Sequence, residues 1–465
     1  DCDEVYNYWE PLHFLQFGRG KQTWEYAPQF ALRSYAYLQL HNVAIKLLHL
    51  VFGFRAKGQV FYALRVVLGL VSALCETVLV RMVARYVDRR MANCTALALF
   101  GMAGLFHAAP ALLPSSFAMC LGTLGLAAAM VPPTCDMRRH VWQRVVPATV
   151  AFVVAVLVGW PYAGIMAVPF FLEELLVPGL GNSGWWRWRL QRLAVLVGVG
   201  GVSTMLVVSG LVAVDSWYYG RTVFAAWNQV ASGNLAWVNI ALLGVAACIG
   251  VLRMAALAKY YAAPVRAFME LPAISNTTQT NELLPLGPSV KMLVSSSQKS
   301  LNEQTDERVV CMDEAWYWYP SSYWLPDGYR LQFVQQANAM QGQLPGDFIP
   351  VHSSGSVKAS TSAERTDFNG LNKWEKSHVG ELSTCDYLVD IEYPERSSND
   401  KQVDRRKWRQ LGECQAVLDA ENSAVLARIL YVPHSIAQIM EWAAGQQQKW
   451  GQMCVFQQTK DEEKH

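Results

Sequence analysis

The chain opens with DCDEVYNYWEP, which sets the carboxylates Asp1, Asp3 and Glu4 beside Tyr6, Tyr8 and Trp9, just ahead of stretches of membrane length. A carboxylate in a hydrated loop is ionised at neutral pH, and at a bilayer surface it meets lipid-borne substrates. That placement suits an enzyme that takes a group from a membrane lipid better than it suits a scaffold. Asp1-Cys2-Asp3 spells DxD, the pattern with which many soluble glycosyltransferases hold a metal and a sugar nucleotide. No βαβ pattern surrounds it, so the metal reading is the weaker one. The stronger reading is a general base acting on a sugar hydroxyl. A lipid phosphate is a competent leaving group, so one base suffices where a glycosidase needs an acid–base pair. Tyr6, Tyr8, Trp9, Trp24 and Tyr26 fit sugar-stacking surfaces and interfacial aromatic belts equally well.

The elements that must position these groups are largely apolar. Of 465 residues 52% are hydrophobic and 16% charged, against roughly a quarter charged in soluble domains, which points to membrane burial. The net charge of +2 excludes the basic balance of a nucleic-acid binder. Runs approaching the roughly 20 residues of a bilayer span are Val60–Met82, Ala92–Leu113, Ser116–Pro132, Val145–Trp160, Pro161–Val177, Leu193–Val214 and Leu235–Ala258. Seven of them disfavour a soluble helical core. Arg81, Arg85, Arg89 and Arg90, then Arg138, Arg139 and Arg144, then Arg187, Arg189 and Arg192 all fall on one side, the cytosolic one by the positive-inside rule. Inside the first run, Arg65 and Glu76 either face the bundle or, for Arg65, snorkel to the interface.

The expected organisation is a lumenal acidic and aromatic loop at 1–29, an interfacial helix at 30–59, a transmembrane bundle at 60–258, a linker at 259–308 and a lumenal α/β domain at 309–465. Within the second segment, Phe30–Phe54 reads as an amphipathic helix presenting Arg33 and Lys46 to headgroups. His41 and His49 are too far apart for an i,i+4 metal pair. In the polar half, Ile274–Arg308 lacks apolar periodicity and reads as linker. RVVCM, YRLQFV, DYLVDIEYP and VLARILYVP read as short elements of the domain, with loops at Pro345–Gly380 and Glu395–Arg409. Cys75, Cys120 and Cys248 sit in apolar runs as buried thiols, while Cys311, Cys385, Cys414 and Cys454 are free to pair in an oxidising lumen. A sequon at Asn276 favours a lumenal linker, whereas counting spans puts it in the cytosol.

DCDEVYNYWEPLHFL and GKQTWEYAPQFALRSYAYL closely resemble the first lumenal loop of the endoplasmic-reticulum dolichyl-phosphate-mannose-dependent mannosyltransferases, within them the α-1,2 branch of N-glycan assembly. LPSSFAMC, GWPYAG, DSWYYGR, EAWYWYPSSYWLPDGYRLQF, GQLPGDF, CDYLVDIEYP and ILYVP extend the resemblance over nearly the whole chain. It implies an all-α polytopic membrane protein of GT-C architecture with a small C-terminal lumenal α/β domain. It also implies inverting α-1,2 transfer of mannose from dolichyl-phosphate-mannose to a lipid-linked oligosaccharide at the ER membrane, multi-pass, with the site facing the lumen and no metal, cofactor or nucleic acid. The family's acidic pair falls on Asp3 and Glu4, with Asp3 the base. Substrate-binding residues on the matched stretches are Asp1, Tyr8, Trp9, Glu10, Trp24, Glu25, Tyr26, Arg33, Trp160, Asp215 and Arg221. The chain departs from the family pattern in lacking a first transmembrane helix before Asp1, and several spans with a lumenal His/Arg motif near Ser232. Restoring the latter would also resolve the sidedness conflict. The rival readings are a sister mannosyltransferase of α-1,6 or GPI-anchor type, and a lipid or sugar transporter, for which no repeated halves are visible.

Overall fold

The computed structural model describes residues 2–54, 56–134, 136–176, 185–225, 228, 267–268, 271, 307–313, 316–334, 342–393, 407–419, 422–423 and 449–459. Asp1, Leu235–Ala258, the Asn276 sequon, nearly all of Ile274–Arg308 and the VLARILYVP run lie outside them. The chain divides into two units. One comprises Asp1–Lys259, Gly342–Glu375 and Ala420–Gln448, and the other Tyr260–Gln341, Lys376–Asp419 and Lys449–His465. The expected 309–465 domain is thus interrupted, because Gly342–Glu375 packs with the N-terminal unit.

The first unit is helical. Cys2–Glu4 forms one turn, Val5–Trp9 widens into a π-helical turn, and Glu10–Phe17 continues as α-helix to Gly18, which caps it at φ 71°. Such widened turns often mark functional sites. Tyr35–Phe52 follows, with the Ser34 hydroxyl accepting from Ala36 N and Gly53 in the left-handed region at its end. Its outer face carries Leu40, Val43, Leu47, Leu50 and Val51, while Tyr37, His41, Asn42 and Ile45 turn inward. A helix that turns several polar groups inward and bares its aliphatic ones, with Lys46 exposed among them, suits an apolar surface beside charged headgroups.

Among the described residues three helices are long and apolar enough to cross a membrane: Lys57–Tyr86, Met137–Gly159 and Leu190–Tyr219. Pro114–Ala129 is apolar but shorter. The other expected spans shorten or break. Ala92–Leu113 becomes Arg89–Gly101 and Ala103–Ala108, since Gly101 and Gly104 offer little helix propensity. Pro161 ends the preceding helix, as read from GWPYAG, and Gly164–Leu176 begins after a 3-10 turn. Val145, Phe152, Ala167, Phe170 and Leu196 form a core joining three of these helices. At Gly125 a side-chain carbon would come within 2.7 Å of the Phe152 ring, so only glycine permits that approach.

Two of the basic residues read as cytosolic flags are buried within the helical unit. Arg144 Nε donates to Glu174 Oε1 at 2.7 Å and Arg192 Nε to Glu174 Oε2 at 2.8 Å, with His140 Nε2 also on Oε2 at 3.1 Å. All four groups are buried. The carboxylate in the last turn of Gly164–Leu176 gives these guanidiniums a partner that solvent would otherwise supply.

The second unit holds a six-stranded sheet in the order β5-β3-β2-β6-β8-β7. Its strands are β2 (Arg308–Met312), β3 (Tyr329–Val334), β5 (Val379–Gly380), β6 (Tyr387–Glu392), β7 (Trp408–Leu418) and β8 (Trp450–Gln458). β2, β3, β5 and β6 run parallel, and β8 is antiparallel to both β6 and β7. β2 is buried on both faces, as its unbroken apolar run requires. Disulfides Cys311–Cys385 and Cys414–Cys454 staple β2 to the turn before β6, and β7 to β8. The remaining strands, β1 (Lys21–Gln22) and β4 (Gly346–Asp347), pair antiparallel within the first unit.

Candidate active site

Asp3 and Glu4 are neighbours with opposite environments. Asp3 is exposed and Glu4 is buried. Glu4 Oε1 accepts from Trp9 Nε1 at 2.8 Å, from Arg65 Nη2 at 2.9 Å and from Leu112 N at 2.9 Å. An oxygen ringed by three donors is not offered to a substrate. Arg65 lies over the Trp9 and Phe61 rings, 5.4 and 4.8 Å from their centroids, so it faces the bundle and pairs there. Its place inside an apolar run was the signal for this partner.

A narrow cleft beside this turn is lined by Tyr8, Leu32, Arg33, Ser34, Tyr37, Pro114, Val156, Leu157, Val158, Gly159 and Pro161. It therefore joins the acidic loop, the LPSS turn and GWPYAG. Arg33 forms its cationic wall. The guanidinium grips Glu25 with two bonds of 3.0 Å and donates to the Tyr8 hydroxyl at 2.8 Å. Burial works against the Arg33 charge, yet Tyr8 and Glu25 outweigh it and raise the pKa. Burial likewise pushes the Tyr8 hydroxyl up, against the opposing field of Arg33. Glu25 and, more weakly, Asp3 add to the rise. The expectation that Arg33 faces headgroups is corrected, because its charge is turned inward onto Glu25.

The backbone carrying Arg33 is held from behind. Ala31, fully buried, adopts φ 46°, a conformation that survives only where its surroundings over-determine it. Tyr219 donates to the Arg33 carbonyl at 2.6 Å. Asp215 Oδ1 accepts from Ser34 Oγ at 3.0 Å and Ala36 N at 3.1 Å.

Other expected substrate contacts have structural partners instead. Trp9 is sealed against Phe61. Glu10, fully buried, accepts from Lys21 N, and Tyr26 donates to the Asn7 carbonyl. Like Asp215, these residues are buried and present no surface to a sugar. Trp24 is half-buried against Phe30, Trp160 stacks on Tyr162, and exposed Arg221 donates to the Gln29 carbonyl. Asp1 lies outside the described residues.

Sequence reasoning missed the support from Gly342–Glu375, part of which it read as loop. Phe348 stacks on Phe14 with centroids 4.1 Å apart, and its N–H donates to the Gly20 carbonyl. Lys21 pairs with Asp347 at 2.8 Å, Arg365 donates to Gln22 at 2.8 Å, and Thr361 donates to the Tyr218 carbonyl at 2.7 Å. GQLPGDF was the visible signal, but nothing in its pattern named a partner. Among the described residues no group of three or more His, Cys, Asp or Glu side chains is arranged to hold a metal.

The sequence profile of the Alg9-like mannosyltransferase family matches residues 1–232, which contain both the acidic turn and the cleft. The chain belongs to that family. Over 84% of its length it is 29% identical to the alpha-1,2-mannosyltransferase alg9 of Schizosaccharomyces pombe, covering 81% of that protein. It is 26% identical to the human alpha-1,2-mannosyltransferase ALG9 over 93% of its length, covering 82% of that chain. With the Saccharomyces cerevisiae ALG9 it shares 26% identity over 98% of its length and 94% of the relative. The human alignment runs over 541 positions, more than this chain contains, so that relative has stretches without a counterpart here. No solved structure matches. The chain is thus a mannosyltransferase of this family, with helices fit to cross a membrane.

Proposed function

We propose that this mannosyltransferase moves mannose from dolichyl-phosphate-mannose, in α-1,2 linkage and with inversion, onto the lipid-linked oligosaccharide precursor of N-glycans. Its site faces the ER lumen within a multi-pass bundle of GT-C type. The observation carrying this reading is the asymmetry of the acidic pair: Glu4 is committed to three protein donors, and Asp3 stays exposed in the helical turn that leads to Tyr8 of the cleft. Asp3 is the general base. As the acceptor hydroxyl bonds to the anomeric carbon, its proton passes to Asp3 and the bond to the donor phosphate breaks, its electron pair leaving with the phosphate. No metal is assigned a role. The relatives named alpha-1,2-mannosyltransferases support the linkage. Two disulfides in the second unit support the lumenal side, since such bonds persist in oxidising compartments.

The test is transfer of labelled mannose by the purified chain. Asp3→Asn is expected to lose about 10²–10⁴-fold in rate while still binding the donor, and chelators to change little. Near-normal turnover of Asp3→Asn would remove the assignment. A severe loss confined to Glu4→Gln would move the role one residue along.

A further inference from the structure

We infer that the end of the helical unit opposite the cleft holds an anionic phospholipid, with its phosphate on Arg138 and Arg139 and one acyl chain in a groove between three apolar helices. None of the residues assigned to transfer takes part.

The groove lies between Lys57–Tyr86, Pro114–Ala129 and Met137–Gly159 and encloses about 550 Å³, within the roughly 300–1,000 Å³ of ligand sites. Val78 and Met82, Leu121 and Leu124, and Val150 and Val154 form its walls. Among the described residues Gln143, at one end, is its single polar lining residue. From Gln143 to Val154 the third helix rises about 16 Å. Half of the bilayer's hydrocarbon core measures about 15 Å, so the groove has the depth of one leaflet. Gly159, at the far end of the same helix, lines the cleft. The groove therefore belongs to the leaflet away from Asp3.

A lipid tail gains little by leaving other tails for walls that are no more apolar than they are. Selection then falls to the headgroup. Gln143 also lines a polar recess with Asp136, Arg138, Arg139 and Trp142, so the two spaces meet at one residue. Arg139 Nε donates to Gln143 Oε1 at 3.0 Å, which fixes the arginine at the mouth of the groove. Among the described residues its terminal nitrogens and the whole Arg138 guanidinium have no partner, and both side chains are exposed. Asp136 is the one acid of the recess, and its Oδ1 accepts from Arg138 N and Arg139 N. Two guanidiniums thus face one carboxylate. Arg85, exposed and three residues beyond Met82, brings a further cation on the groove's side of its helix. Trp142, 67% exposed, supplies an indole at headgroup level. By the positive-inside rule this end is cytosolic, and the cytosolic leaflet is the one that carries anionic lipid.

The experiment titrates the purified chain in detergent with phosphatidylserine and phosphatidylcholine of matched tails, reading bound lipid by native mass spectrometry and following the melting temperature. The parent is expected to bind phosphatidylserine about 30-fold more tightly, as two arginines at a membrane surface imply, and to melt higher with it bound. Arg138→Gln/Arg139→Gln, at exposed positions, should lose that preference and keep phosphatidylcholine binding. Val150→Trp, which fills the groove, should weaken both lipids alike. Equal affinity for the two lipids in the parent, an unchanged preference in the arginine variant, or full binding by a folded Val150→Trp overturns the proposal. Dolichyl phosphate displacing phosphatidylserine at equal concentration also overturns it, by giving the groove to a polyisoprenoid. A photoreactive side chain in place of Val150 decides the last alternative. Cross-linking to phospholipid supports the proposal, and cross-linking to Leu235–Ala258 overturns it by filling the groove with another part of the chain.

Discussion

Asp3 and Glu4 differ by one methylene and one position, yet the fold gives them unlike surroundings. Glu4 ties the acidic turn to the membrane helix through Arg65 and to the backbone ahead of Pro114 through Leu112 N. Glu4→Ala strands the guanidinium, an indole N–H and an amide together. Arg65 retains some contact with solvent, so the expected loss is below the full cost of breaking a buried pair, about 3 kcal/mol, measured as thermal unfolding in detergent. Asp3 is exposed, and Asp3→Asn should cost less stability than Glu4→Ala. His41 adds a pH response. Burial lowers its pKa, against the Tyr37 carbonyl that accepts its Nδ1–H at 2.9 Å. The unfolded chain then binds this proton at a higher pH than the folded one. The stability contribution of neutral His41 is therefore complete above the unfolded value of about 6.5 and fades as pH falls toward the folded one. Unfolding midpoints measured from pH 8 to 5 should fall in the parent and fall less in His41→Gln.

At the scale of elements, legibility followed how local the determining physics is. Lys57–Tyr86 was plain because a long apolar run has few alternatives, and β2, β3 and β6 were plain from RVVCM, YRLQFV and DYLVDIEYP. β7 was missed because WRQLGECQAVL is polar on both faces. It lies at the sheet edge, half exposed, with its register shifted between Leu411 and Gln415. The acidic pair was legible, with the resemblance naming Asp3 as base, but the partners of Glu4 were not, since Leu112 lies 108 residues from it. The four cysteines of the polar half were seen as able to pair, while their connectivity required the sheet. The pairing of Arg144 and Arg192 was hidden for a similar reason: a charge count cannot reveal that Glu174 is waiting inside.

At the scale of the whole molecule, the proposed lumenal side has a direct measurement. In sealed microsomes the sheet-bearing unit should resist added protease until detergent is present, and its four cysteines should resist alkylation until reduced. Digestion from outside would reverse the orientation. The brace at Gly342–Glu375 adds a genetic consequence. Arg365 reaches Gln22 across 343 positions of sequence, and Phe348 reaches Phe14 in the same way. Position along the chain is thus a poor guide to which alleles harm transfer. A frameshift or missense lesion deep in the second half can silence the amino-terminal loop while every residue of that loop stays intact, and two such distant lesions should fail to complement each other's loss.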